Sequence, residues 1–117
     1  MSFEGGLSRF NRTIERRVER KTRATALQVF SGLILRTPVD TGRARANWNT
    51  SAGAIDYSID EDATKPQSPT LRKGDGSKPI YITNNLPYIG ELENGSSTQA
   101  PKGMVAVTLS ELKGGMR

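Results

Sequence analysis

The 117-residue chain contains neither cysteine nor histidine. Without thiols there is no disulfide framework and no thiolate nucleophile, and without imidazole the commonest general base and metal ligand near neutral pH is missing. Both absences argue against an enzyme. Aromatic residues make up only 6%, and a single tryptophan, Trp48, is left to anchor a core. The most apolar stretch, Ala24 to Leu35, is interrupted by Thr25, Gln28 and Ser31 and is too short to cross a bilayer, so no membrane contact is expected. The opening residues MSFEGGLSRF lack the basic-then-apolar pattern of a signal peptide. The protein is therefore expected to be made in the cytoplasm and used there or in an assembly built there.

What is present describes a small, polar domain. A hydrophobic content of 34% and a mean hydropathy of −0.55 leave room for one modest core. The net charge of +5 is concentrated: between Arg9 and Arg23 there are seven positive and two negative side chains, which accounts for the whole excess. The remainder is close to neutral, so the domain as a whole does not read as a nucleic-acid binder.

Residues 1–7 read as a flexible arm, and Ser8 as the N-cap of a helix over 8–36. Phe10, Ile14 and Val18 recur every four residues, and Ala26, Phe30, Leu33 and Ile34 resume that stripe after a polar interval at Lys21 to Thr25. Such a helix is about 40 Å long, more than so small a domain can cover. Its basic first half, with Arg12, Arg16 and Arg20, is expected to project and meet a partner. The competing reading is a solvated charged face, helped by the Glu19–Arg23 pair at i, i+4.

Pro38 ends the helix, and Asp40 and Gly42 carry turn chemistry for a corner whose charged edge is Arg43 and Arg45. A sheet over 46–84 follows. Trp48, Thr50 and Ala52 alternate as one strand, and Ile55, Tyr57 and Ile59 resume the alternation after a phase slip near Gly53. Pro79 to Asn84 is β-branched and aromatic and reads as the central strand. Between them, residues 60–79 form a polar loop with Lys65, Arg72 and Lys73, expected to stay mobile until it meets a neighbour. The carboxylates Asp60, Glu61 and Asp62 read as a solvated run rather than a cation site.

Residues 87–117 read as a helical closing segment. Pro87 opens a short helix with Tyr88, Ile89 and Leu92 facing inward and Gly95 as its C′ residue. Glu91 and Glu93, two apart, point to different sides and make a poor acid/base pair. After Pro101, the spacing of Val105, Leu109 and Leu112 suggests a final helix; alternation of Val105, Val107 and Leu109 as a strand is the competing reading. The expected fold is α+β: a long N-terminal helix packed on a small antiparallel sheet of three to four strands, with a short helix and a C-terminal helix.

The order of these pieces carries a resemblance. VDTGRAR after a long helix, then IYITNNLPYIGELENGSS, then QAPKGM, is similar to the HK97 gp10-like family of phage tail-component proteins. These are small head-tail joining or tail-completion proteins of long-tailed bacteriophages and prophages. The similarity spans about Leu27 to Leu109, and its most specific parts are Pro38, Asp40, Thr41, Gly42 and Arg43, Asn84 to Tyr88, Glu93, Gly95 and Ser96, and Gln99 to Pro101. Family members often continue the closing helix beyond the position of Arg117.

The resemblance implies a virion protein that assembles with its own copies into a ring, expected as a hexamer, in the neck or at the head-proximal end of the tail. Neighbouring neck and tail proteins would be its partners, with packaged DNA touched in the lumen and no small-molecule substrate or cofactor. Candidate interface residues are Arg12, Arg16, Arg20, Arg43, Arg45, Lys65, Arg72, Lys73, Glu91 and Glu93, with Arg43 and Arg45 as possible counter-ions of the two glutamates. A nucleic-acid-binding domain using the Arg9–Arg23 face is the alternative, although no aromatic platform apart from Phe10 lies near it.

Overall fold

The computed structural model describes residues 3–39 and 42–115. In chain order they form a long helix α1 (Phe3–Arg36), a single turn α2 (Arg43–Ala46), strand β1 (Trp48–Ala52), a 3-10 turn (Asp75–Ser77) and strand β2 (Ile80–Asn84). A short helix α3 (Ile89–Glu93) and a closing helix α4 (Val105–Gly115) complete the α+β fold. Helix α1 starts at Phe3, so Ser8 lies inside it rather than capping it, and most of the expected arm is helical. The closing segment is a helix, not a strand.

One core holds these elements together. Phe30 and Leu33 of α1, Trp48 of β1, Ala100 and Met104 are buried in one cluster, with Val29, Ile34, Ile82, Ile89 and Leu92 packed around it. Only the second half of α1 contributes. Helix α4 turns Thr108 and Leu112 inward, in line with the buried Met104 just before it, and leaves Val105 and Leu109 exposed. It approaches α1 closely at Gly32, where an added Cβ would stand 2.9 Å from the Thr108 methyl carbon.

The sheet has two strands, antiparallel, in the register Trp48↔Asn84 through Ala52↔Ile80, rather than the expected three to four. Ile55 to Ile59 forms no strand because its backbone is claimed by side chains. Thr83 and Asn85 donate to the Asp56 carbonyl, and Asn49 and Asn85 donate to that of Ser58. The third-strand pattern is therefore present in sequence but unpaired in the fold. Strand β2, expected to be central, has a strand on one side only.

The segment expected to be mobile is fastened to its own body. Asn47 bonds both the carbonyl and the amide of Asp60, at 2.9 and 2.8 Å. Gln67 donates to the Ala46 carbonyl, and Thr70 exchanges three hydrogen bonds with Thr50 or its carbonyl. The carboxylate of Glu19 receives the amides of Gly74 and Gly76 at 3.0 and 3.2 Å. Polar loops can be ordered without an apolar interior when side-chain amides and hydroxyls replace ladder partners.

Despite this fastening the molecule is elongated. Its radius of gyration is 17.5 Å, against about 13 Å for a compact domain of this length. The principal extents are 62 × 32 × 18 Å, and the 34 residues of α1 supply about 50 Å of the longest.

Candidate functional site

The N-terminal half of α1 is where the fold leaves apolar surface uncovered. Phe10 is 62% exposed, Ile14 40% and Val18 57%, and Leu7 is exposed as well. The periodicity is as expected, but Phe10, Ile14 and Val18 are exposed and do not continue a buried stripe with Phe30 and Leu33. The helix geometry gives the reason. At 100° per residue, Phe30 and Leu33 point toward the body, whereas Ile14 shares its direction with Gly32, five turns further on. Over Gly32 that direction is covered by α4; at Ile14 it is bare.

The charges of Arg12 and Arg16 stand on the other side of this half-helix, each two residues, or about 200°, from members of the stripe. Arg12 and Arg16 of α1 and Lys73 of the loop line one depression of about 230 Å³ together with Glu15, Glu19 and Gly74. Arg20 is exposed on the same half-helix. The structure thus brings three of the expected interface residues together, with Glu19 at their base. Glu19 is buried, pairs with Arg23 at 3.5 Å and holds the loop by its two amides. In the sequence Glu19 offers only the i, i+4 pairing with Arg23. The available signal was the G-D-G run at Gly74 to Gly76, since Gly76 sits so close that an added Cβ would be 1.9 Å from the Glu19 carbonyl oxygen.

The other expected interface residues divide. Lys65, Arg72, Arg43 and Glu91 are exposed, the Arg72 amide being bonded to the Asp75 carboxylate at 2.7 Å. Arg45 is engaged within the chain: it donates to the carbonyls of Thr37 and Leu35 at 2.7 and 3.1 Å and caps the end of α1. Glu93 is likewise committed within the chain. Its carboxylate accepts the amides of Met104, Val105 and Ala106 at the start of α4. Burial pushes the Glu93 carboxyl up, but these three amides outweigh it and hold the group below its ordinary range. Within the chain, Arg45 and Glu93 therefore have partners other than the arginine–glutamate pairing expected of them.

The residues expected to shape the corner and the turns are placed by the fold. Pro38 and Trp48 are buried, and Gly42 adopts φ 78°, with no room for a Cβ beside the Thr64 carbonyl. Tyr88 is the N-cap residue of α3, and Gly95 closes that helix at φ 90°, its amide on Leu92 and that of Ser96 on Glu91. Pro101 packs its carbonyl against Gly95. Asp40 and Thr41 lie outside the described residues.

Among the described residues no group of three or more acidic or thiol/imidazole side chains could hold a metal ion, and no helix is long and apolar enough to cross a membrane. Asp56 sits beside Ser58, whose hydroxyl and amide hold its carboxyl below the usual range. What the geometry offers is an exposed apolar line on the half of α1 that the core leaves uncovered. No protein-family model, curated protein or solved structure matches the chain.

Proposed function

We propose that this chain is a structural subunit of a long-tailed phage or prophage virion, forming a ring in the neck or at the head-proximal end of the tail. There it joins or completes the tail for head attachment, is held by its own copies and meets neighbouring neck and tail proteins. The observation that carries this reading is the bare stripe of Leu7, Phe10, Ile14 and Val18 on a helix extending beyond its own core. Exposed apolar surface of this kind is removed from water by association. A ring subunit joins its neighbours through two unlike surfaces, and a rod projecting from one side of a body supplies such asymmetry. The motif order from Pro38 to Pro101 supports the assignment to a phage joint, as a resemblance in sequence.

A basic nucleic-acid-binding role would use Arg12, Arg16 and Lys73 but leaves the apolar stripe without a purpose. Electron microscopy of the chain, alone and co-expressed with neighbouring neck and tail proteins, at low and high salt, separates the two. Burial-driven rings persist in high salt, whereas phosphate contacts weaken steeply with it. Salt-labile DNA complexes with no ring under any condition would overturn the proposal.

A further inference from the structure

The phase of the β ladder identifies an open edge. The Gly53 amide bonds the Pro79 carbonyl at 2.8 Å, and the register then makes Ser51–Tyr81 and Asn49–Thr83 the bonded pairs. Thr50 consequently points its carbonyl outward, and Thr70 caps it at 2.8 Å. On the other strand, Ile80 and Ile82 direct their amides and carbonyls away from β1. Among the described residues no further group bonds to them.

Beside this edge runs a groove of about 440 Å³ between α1 and β2, lined by Val18, Thr22, Ala26, Ile80 and Ile82 and rimmed by Lys21. It occupies the place where the inward side chains of a third strand would lie. The chain also carries a strand-patterned segment that its own sheet does not use. The carbonyls of Asp56, Ser58 and Asp60 are fastened to the body at every second residue, so Ile55, Tyr57 and Ile59 direct theirs outward. All three side chains are exposed, Tyr57 by 73%. Residues 54–62 carry four negative charges and no positive one. Lys21, at the rim of the groove, belongs to the basic half of α1.

We infer that the Ile55–Ile59 segment of one copy adds to the Ile80–Ile82 edge of the next, completing a three-stranded sheet across the subunit boundary. Backbone pairing supplies affinity, and alternate apolar side chains entering the groove supply register. The donor keeps its own fastenings because its bonded carbonyls and its free ones alternate. Edge and donor are different surfaces, so the contact is head-to-tail and propagates around a ring. The inference rests on the reading of the chain as a self-assembling subunit and names the surface through which copies meet.

Since the chain has no cysteine, introduced thiols report the contact without background. The Tyr57→Cys and Ile80→Cys chains are mixed under mild oxidant, with each alone and a Phe10→Cys chain as controls, and Tyr57→Lys is followed by sedimentation. The expected result is a Tyr57→Cys/Ile80→Cys heterodimer in preference to either homodimer. Tyr57→Lys is expected to weaken self-association at least about tenfold with an unchanged circular dichroism spectrum. Assemblies that cross-link only through Phe10→Cys, with Tyr57→Lys without effect, would overturn this contact and leave the ring intact. A chain monomeric at the highest attainable concentration would overturn it too, while ring formation with neighbouring virion proteins is decided separately by the microscopy.

Discussion

Trp48 and Thr37 meet inside the core: the indole Nε1 donates to the Thr37 hydroxyl at 2.8 Å, and that hydroxyl donates to the Leu33 carbonyl at 2.5 Å. The relay ties the end of α1 to the first residue of β1 across the corner. Thr37→Val preserves shape but strands the buried indole N–H, and is expected to cost about 1–3 kcal/mol. Thr37→Ser retains the hydroxyl and costs less. Urea unfolding followed by the fluorescence of the sole tryptophan measures both.

Glu19 holds the segment at Gly74 to Ser77 to a part of α1 that otherwise has few contacts with the body. Glu19→Ala removes two charge-assisted hydrogen bonds and is expected to destabilise the local structure by about 1.5–3 kcal/mol. Gly76→Ala has the same consequence by a different route, because its Cβ would overlap the helix backbone. In both variants hydrogen exchange is expected to accelerate at residues 72–78 while the Phe30–Trp48 core remains protected. Uniform acceleration across the chain would show that the loop is not a separable unit.

Glu93 makes the docking of α4 sensitive to acid. Its carboxyl has a lower pKa folded than its ordinary value of 4.5, so its contribution is complete above that value and disappears as pH falls through the lower, folded one. Replacement by Ala is expected to cost about 0.5–2 kcal/mol at neutral pH, as for other lost helix caps. Below the folded pKa the variant and parent converge. A stability difference independent of pH from neutrality to strong acid would contradict the assignment of the cap to the ionised group.

Much of this architecture is legible in the sequence because local chemistry decides it. The i, i+4 spacing along α1, the stop at Pro38, the β-branched run at Ile80 to Asn84 and the C′ glycine Gly95 each fix an element by short-range sterics and hydrogen bonding. The third strand was misread because periodicity shows what a segment can do, whereas pairing depends on what reaches its backbone; Asn49, Thr83 and Asn85 reach it first. The order of the 60–79 loop was hidden for a similar reason, since its partners Asn47, Thr50 and Glu19 are distant in sequence. Arg45 and Glu93 look like surface charges in sequence, and only the fold aims them at helix ends. The basic character of the projecting half-helix was legible in full, but the bareness of its apolar stripe depends on where α4 lies.

The proposed ring depends on that stripe. Phe10→Ser, Ile14→Ser and Val18→Ser combined alter exposed sites and are expected to change the stability of the isolated subunit by no more than about 0.5 kcal/mol at each. Native mass spectrometry of this variant beside the parent chain, each co-expressed with the neighbouring neck and tail proteins, is the most direct test. A ring mass is expected for the parent and only the subunit mass for the variant. Equal assembly of the two would contradict that dependence.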